Sequence, residues 1–307
     1  LNLQNLRVFL KVAELEHVTR AAEELGLSQP AVTKTIQMLE SETGLELLER
    51  QGRRIALTHA GRVMQSHARQ IFALEHELEE ALHALRDVDG GEVTLAANTT
   101  TGVYLLPPIV ARFRLRYPQV LLHIAILNSR EIVEEMLNWK LDLGLVESEP
   151  ANLPSGLSVE MFAYDELMLV VSPTHHWNTL PVLHPHMLAK REILLREQGS
   201  GIRKVIENAV GVYNVKIDPL LTLTDNEAIK QMVISGVGAA LVSYLSVKRE
   251  LANGDLVHLP VVGLDLRPQL SLIRRADKHL SRSAQAFYTF LRPILDNDTA
   301  VQSAVEQ

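Results

Sequence analysis

The chain has no cysteine. Disulfides and thiolate chemistry are therefore excluded, and a reducing, cytoplasmic setting is the compatible one. There is no surplus of positive charge either: 30 Lys and Arg stand against 37 Asp and Glu, for a net charge of −7. Any nucleic-acid contact must come from a local basic surface, not from the molecule as a whole. Long apolar runs are missing. The longest, VISGVGAALVSYLSV (233–247), is too short and too rich in Gly and Ser to span a bilayer, so no membrane partner is expected. The opening LNLQNLRVFLKV is spaced as an amphipathic helix, so no signal peptide is read there. Catalytic signatures are lacking too: there is no G-x-S-x-G elbow, P-loop or paired metal-ligand motif. Gly199-Ser-Gly201 starts like a dinucleotide loop, but Lys204 holds the third glycine's place. Gly236-Val-Gly238 follows a helix and precedes a strand, which is the wrong order. The histidines of PTHHW (173–177) and HPH (184–186) have no acids or cysteines at ligand spacing and read as solvated, so neither metal nor cofactor is expected.

What is present is an ordinary globular composition. Of 307 residues 47% are hydrophobic and 22% charged, enough for one to three domains with a large core. Residues 3–15 form a helix with Leu6, Phe9, Leu10 and Ala13 on one side. HVTRAAEELG (17–26) places Val18, Ala21, Ala22 and Leu25 at helical spacing, and its alanines let another helix approach closely. Gly26 breaks it, and LSQPAVTKTIQMLE (27–40) follows after a very short turn. Ser28 is its N-cap and Pro30 falls in its first turn. Val32, Ile36 and Leu39 form the inner stripe. Ser28, Gln29, Pro30, Thr33, Lys34 and Gln37 lie outside it, a hydrogen-bonding and nearly uncharged face. A solvated face would more usually carry Glu and Lys, whereas amides and hydroxyls can read base edges in a major groove. The spacing is that of a helix-turn-helix, and equally of an ordinary helical hairpin. Arg50, Arg53 and Arg54 flank a Gln51-Gly52 turn between apolar segments. This is a wing for phosphates or a minor groove, or else a solvated basic turn.

LTHAGRVMQSHARQIFALEHELEEALHALRDVDGG (57–91) is one long helix, capped by Thr58 and stopped by Gly90-Gly91. Met64, Ile71, Leu78 and Leu85 repeat every seven residues, with His67, Leu74, Ala81 and Val88 three further on. The seam suits self-pairing into a homodimer, or burial against the chain's own larger domain. Strands then alternate with helices: strands at 91–98, 120–127, 141–147 and 167–173, helices at 101–118 and 130–140, and a second set up to 243. A strand in 264–275 and a helix near 281–295 end the chain. The order predicts parallel sheets in two α/β subdomains, with crossings near 161–167 and 264–270 and a ligand where strand ends meet the domain interface.

Over F..V.E...VTRAAEELGLSQPAVTKTIQMLE...GLELLER..RRIALTHAG, from Phe9 to Gly61, the chain resembles LysR-type transcriptional regulators. YLLPPIVARFRLRYP, NSREIVEEML and DLGLVE match the effector domain of that family more loosely. Val18 and Leu48 stand where the family often has Phe, and Thr33 where it often has Ser. NSREIVEE, LGLVE and LLREQGSG look closest to the subgroup regulating carbon fixation and sulfur assimilation. The resemblance implies an α/β protein with an all-α N-terminal part. It comprises a winged helix-turn-helix (1–57), a dimerising linker helix (58–89) and an effector domain like a type 2 periplasmic binding protein (90–307). Subdomain I of that domain covers about 90–162 and 269–307, and subdomain II about 163–268. It implies homodimers or homotetramers on double-stranded promoter DNA, gated by a small molecule.

NTTTG (98–102) and EQGSGIR (197–203) each join a strand to a helix and set hydroxyls and backbone N–H groups where an oxyanion or carboxylate is favoured. By resemblance the effector contacts are Asn98, Thr100, Thr101, Glu147 and Ser200, with Asn226 nearby. Gly201 and Arg203 belong to the same helix start. All of these could equally be caps. Glu147 is a difficulty: an acid in the cleft opposes an anion unless it is protonated or offset by Arg196 or Arg203. An enzyme or a solute-binding protein built on the α/β region is the alternative, but neither explains residues 1–60.

Overall fold

The computed structural model describes residues 1–51, 54–86, 90–147, 153–264 and 266–295. The chain forms two compact units, one of residues 1–79 and one from residue 80 onward. The first begins with helix α1 (Leu3–Leu15), capped by Asn2 and closed by Glu16 in the left-handed conformation. Helix α2 (Val18–Leu25) is capped by His17 and ends at Gly26, whose φ of 64° suits a residue without a Cβ. Helix α3 (Gln29–Thr43) starts at Ser28, whose hydroxyl accepts the Ala31 N–H. Strands β1 (Leu48–Gln51) and β2 (Arg54–Leu57) form an antiparallel hairpin. Phe9, Val12, Ala21, Ala22, Val32, Ile36 and Leu39 share one buried core. Val8 and Val12 are also buried, so the inner stripe of α1 is wider than its spacing alone predicts. Truncating a member such as Ile36 to Ala would cost about 2–5 kcal/mol.

Helix α4 (His59–Arg86) begins where Thr58 donates to the Glu46 carbonyl and accepts the Gly61 N–H. A Cβ on Gly61 would lie 2.1 Å from the Leu47 carbonyl oxygen, so only glycine lets α4 pass the hairpin this closely. Met64 and Phe72 join the head's core, and Arg7 pairs with Glu75 at 2.6 Å. The head thus takes in much of α4, beyond the boundary at 57 expected from the motif.

The second unit contains two five-stranded sheets, each with helices on its faces. The first has the order β4-β3-β5-β12-β6, formed by β3 (Gly91–Ala97), β4 (Val120–Ile126), β5 (Leu143–Glu147), β6 (Leu157–Tyr164) and β12 (Gln269–Arg275). The second has the order β11-β7-β10-β8-β9, formed by β7 (Leu167–Val171), β8 (Ile193–Arg196), β9 (Leu221–Leu223), β10 (Ala239–Ser243) and β11 (Val257–His258). The sheets are mixed, not purely parallel. β12 runs antiparallel to both β5 and β6, and β7 antiparallel to β10 and β11. The cause is the double crossing: the chain leaves the first sheet along β6 and returns along β12, and the two must run in opposite directions. At the crossing, Asp165 donates its N–H to Pro268 O and Leu167 its N–H to Leu266 O, both at 2.9 Å. β6 reaches Tyr164, two residues past the expected subdomain boundary at 162.

The stretch expected as one helix from 101 starts as a π-helical turn (Thr101–Leu105) before α5 (Leu106–Arg116). Pro107 and Pro108 have no N–H to offer residues 103 and 104, and the Leu106 N–H reaches back five residues to Thr101 O. Helices α6 (Ser129–Leu137), α7 (Gly201–Gly211), α8 (Asn226–Ile234), α9 (Tyr244–Asn253) and α10 (Arg282–Leu295) complete the unit. Among the described residues no helix is long and apolar enough to cross a membrane.

Candidate functional site

Two surfaces stand apart from the cores. On α3, Val32, Ile36 and Leu39 face inward, while Ser28, Gln29, Pro30, Lys34 and Gln37 are exposed. Thr33 is half-buried, and its hydroxyl accepts a 2.9 Å hydrogen bond from the Gln29 amide. The two side chains therefore hold each other in place, one turn apart, at the start of the helix. β1 and β2 carry Arg50 and Arg54 on the hairpin. Arg53 lies outside the described residues, as do the side chains of Arg50, Arg54 and Leu85, and Val88. On α4 the expected seam divides. Met64 turns into the head's core, whereas Ile71 is 42%, Leu74 66% and Leu78 59% exposed. That leaves an apolar stripe facing solvent, continued by exposed Val63.

The second surface lies between the two sheets. Asn98 follows β3 and accepts the Thr101 N–H at 2.9 Å. Asn128 caps α6 in a reciprocal arrangement with Glu131. Ser200 caps α7. Asn98, Thr100, Ser129, Glu147, Arg196, Ser200 and Gly201 line one void of about 10 Å³, with Thr99, Leu127 and Asn128. Three helix starts, at 101, 129 and 201, therefore converge. Only the starts at 101 and 201 were read from the sequence as ligand-facing. The third carries its own signal, Asn128-Ser129 between a strand and REIVEEML, which marks an N-cap with glutamate three residues on.

The cleft is closed. Arg130 donates its N–H to Gly199 O at 3.2 Å, and Asn128 its amide to Glu197 at 3.2 Å. A Cβ on Gly201 would lie 2.1 Å from the Glu147 carbonyl oxygen, so α7 rests directly on the end of β5. The void opens outward into a groove of about 780 Å³ between α6 and α7, sharing Ser129, Glu147, Ser200 and Gly201 with it. Arg130, Arg203 and Lys204 line this groove.

Arg196 is 8% exposed and fully engaged. It donates twice to Glu197, at 2.8 and 3.1 Å, once to Asn226 and once to Thr99. Asn226 thus meets the void through Arg196 and does not line it. Arg203 donates to Glu207 and to the Arg196 carbonyl, bracing the strand end from the groove side. Other polar atoms here are buried and poorly satisfied: Thr101 Oγ1 has no partner, and Asn98 Nδ2 and Thr100 Oγ1 have only loose contacts with the Glu147 carboxyl. Buried groups left this way cost stability unless something completes their bonds. Glu147 is 3% exposed. Burial, and secondarily the Asp165 carboxylate, push its acid up to about 8 against the pull of Thr100, Arg196 and Asn98. Asp165, at the crossing, is pushed up to about 6 by burial although Ser243 and the Glu166 N–H bond to it.

Of the loop histidines, His176, His184 and His186 are exposed as expected, and His175 departs. His175 is not solvated: its side chain is 8% exposed, stacked on His176 and edge-on to Trp177. His175 and His176 come within 3.6 and 3.3 Å of Glu192. Yet His175 Nδ1 accepts the Trp177 N–H, which leaves the ring proton on Nε2, the nitrogen facing Glu192. A metal there would require the other tautomer and the loss of that turn bond.

Residues 3–62 match the family described as bacterial regulatory helix-turn-helix protein, lysR family, and residues 86–295 match the LysR substrate binding domain. The chain is 36% identical over 290 residues to a RuBisCO operon transcriptional regulator of Allochromatium vinosum, covering 94% of this chain and 95% of that one. The fold is similar to that of CbnR, a LysR family transcriptional regulator, with a TM-score of 0.67 at 22% identity over 97% of this chain and 100% of that one. The regulatory domain of Synechocystis PCC6803 CcmR, solved in complex with 2-PG, aligns with a TM-score of 0.61 at 26% identity over 68% of this chain and 99% of that one.

Proposed function

The chain belongs to the lysR family of bacterial regulatory helix-turn-helix proteins, and from that premise we propose how its residues divide the work. It is a DNA-binding transcriptional regulator with an effector-binding domain, and its relatives are regulators, not enzymes. In our reading, Gln29 and Thr33 contact base edges in the major groove, with Ser28, Pro30 and Gln37 alongside. Lys34, Arg50, Arg53 and Arg54 hold phosphates or the minor groove. The exposed stripe of α4 pairs two chains, because an apolar stripe of that length is otherwise left in water. The genes controlled are those of carbon fixation, as in the relative's name.

The effector is a small oxyanion, a phosphorylated carboxylate such as the 2-PG held by the CcmR domain. The observation that carries this reading is the convergence of three helix starts on one void, whose Asn98 and Thr100 donors have only the Glu147 carboxyl to turn to. A void of about 10 Å³ holds one water at most, so the ligand takes the place of the contacts that now close the cleft. Binding then shifts the balance between closed and opened subdomains, by no more than the difference in affinity for the two. Calorimetry on the full chain with 2-PG tests the assignment. Thr100→Val and Ser200→Ala are expected to weaken binding at least tenfold while operator binding without effector persists. Wild-type affinity in both variants would place the site elsewhere.

A further inference from the structure

Glu147 is the group that the anion reading leaves unexplained. It ends β5 at the meeting point of the three helix starts, buried, with the Asn98 and Thr100 side chains turned to its carboxyl and its Oε1 in no close hydrogen bond. An ionised carboxylate in that position would occupy the void as its own anion and repel any other. Arg196, which lines the same void, offsets it only in part. Arg196 is engaged by Glu197 and Asn226, and Arg203 is engaged by Glu207. The Asp165 carboxylate also stands against an ionised Glu147, while Arg130, Arg203 and Lys204 line the groove beyond it. A protonated Glu147 reverses the argument. Its O–H becomes a donor beside Asn98 Nδ2, Thr100 Oγ1 and the helix starts, so that every group lining this corner can donate to one oxygen.

We propose that Glu147 enters the effector complex as a neutral carboxylic acid and donates its proton in a hydrogen bond to the bound oxyanion, which makes it the residue that restricts the site to ligands presenting a carboxylate or phosphate oxygen. This rests on the effector reading above. The proton comes from solvent whenever Glu147 starts out ionised, so binding consumes one proton above the acid's own pKa and none below it. Burial supports the neutral form independently, because it holds that pKa near 8 before any ligand arrives. A ligand's negative charge raises it further. Affinity is therefore flat below pH 8 and falls toward tenfold per pH unit above it.

Two measurements on the full chain test this. The first is infrared difference spectroscopy of wild type against Glu147→Gln without ligand. A protonated-carboxyl carbonyl band is expected at pH 7, disappearing as the pH rises past 8. The second is calorimetry with 2-PG, and with inorganic phosphate as a second probe, from pH 7.5 to 9.5. Over that range the second ionisation of a phosphate ester, at about 6, is complete, and any remaining ionisation of inorganic phosphate is seen equally in the Glu147→Gln titration. Wild type is expected to weaken with pH and to take up a proton, read from two buffers of different ionisation heat. Glu147→Gln, which keeps a donor, is expected to bind within about tenfold of wild type at pH 7.5 and to lose the slope. No band at pH 7, a flat wild-type affinity, or an unchanged slope in Glu147→Gln each overturns the proposal. A band that is present while neither probe binds at any pH overturns the effector reading, and the donor role with it.

Discussion

Gly201→Ala is the sharpest probe of the closed cleft. The added Cβ would stand 2.1 Å from the Glu147 carbonyl oxygen and 2.7 Å from Ser129 Oγ, where real contacts do not fall below 3.0 Å. Ser129 can rotate away; the β5 backbone cannot. The start of α7 must therefore withdraw by about 1 Å, on the difference between those contacts. That stretches the bonds from Arg130 N–H to Gly199 O and from Asn128 to Glu197, both already at 3.2 Å. Two such bonds contribute about 0.5–1.5 kcal/mol each. Their loss shifts the balance toward opening by about 1–3 kcal/mol, or roughly 5- to 150-fold. Alanine's better helix propensity returns less than about 1 kcal/mol, and only to α7 itself. The assay is native-state hydrogen exchange at the Arg130 amide. Protection is expected to fall by one to two orders of magnitude, while the core amides of β5 keep theirs. Unchanged protection at Arg130 would show that α7 absorbs the methyl without parting from α6, and would refute the reasoning.

Gln29→Ala is expected to cost about 1–3 kcal/mol on the specific operator and little on random DNA, by gel shift on both, whereas Lys34→Ala weakens both and lowers the salt slope by about one. Ile71→Asp combined with Leu78→Asp places charge in the exposed stripe of α4 and is expected to split the dimer in sedimentation; an unchanged mass would assign the stripe to another partner. Glu147→Gln is expected to stabilise the protein at pH 8 and not at pH 4. Between about 4.5 and 8 the unfolded acid is ionised and the folded one neutral, so folding must take up a proton and stability falls as pH rises through that window. Thermal unfolding at the two pH values reads the difference, up to a few kcal/mol.

The head was legible because its signals are local. Ser28, Gly26 and, as a cap, Thr58 act on residues within three or four positions, and alanines at 21 and 22 announce a close helix contact. The strand in 264–275 that brings the chain back is legible too, as β12, but its antiparallel pairing is not. β6 and β11 went unseen, and the sheets looked parallel, since β6 is defined by its pairing with β12 more than a hundred residues away. α9 is not among the helices read from the sequence, although α6 and α8 are shorter. In the cleft, Asn98, Thr100 and Ser200 could be read as caps at strand-to-helix joins. Glu147 stood out only as a contradiction, because its burial and the nearness of Asp165 depend on both crossings. Thr99 and Ser129 are small residues whose meaning comes entirely from what faces them.

The two crossings between the sheets are bonded to each other, Asp165 to Pro268 and Leu167 to Leu266. They form a short two-stranded ribbon in place of two independent tethers. Paired strands resist sliding and stretching, because both would break their ladder, but they bend and twist readily. The subdomains therefore have few degrees of freedom relative to one another: they can turn about the ribbon, and they cannot drift apart along it. What this unit can transmit is an angle, and a ligand a few atoms across, seated a short way from that axis, has a lever as long as the subdomain itself.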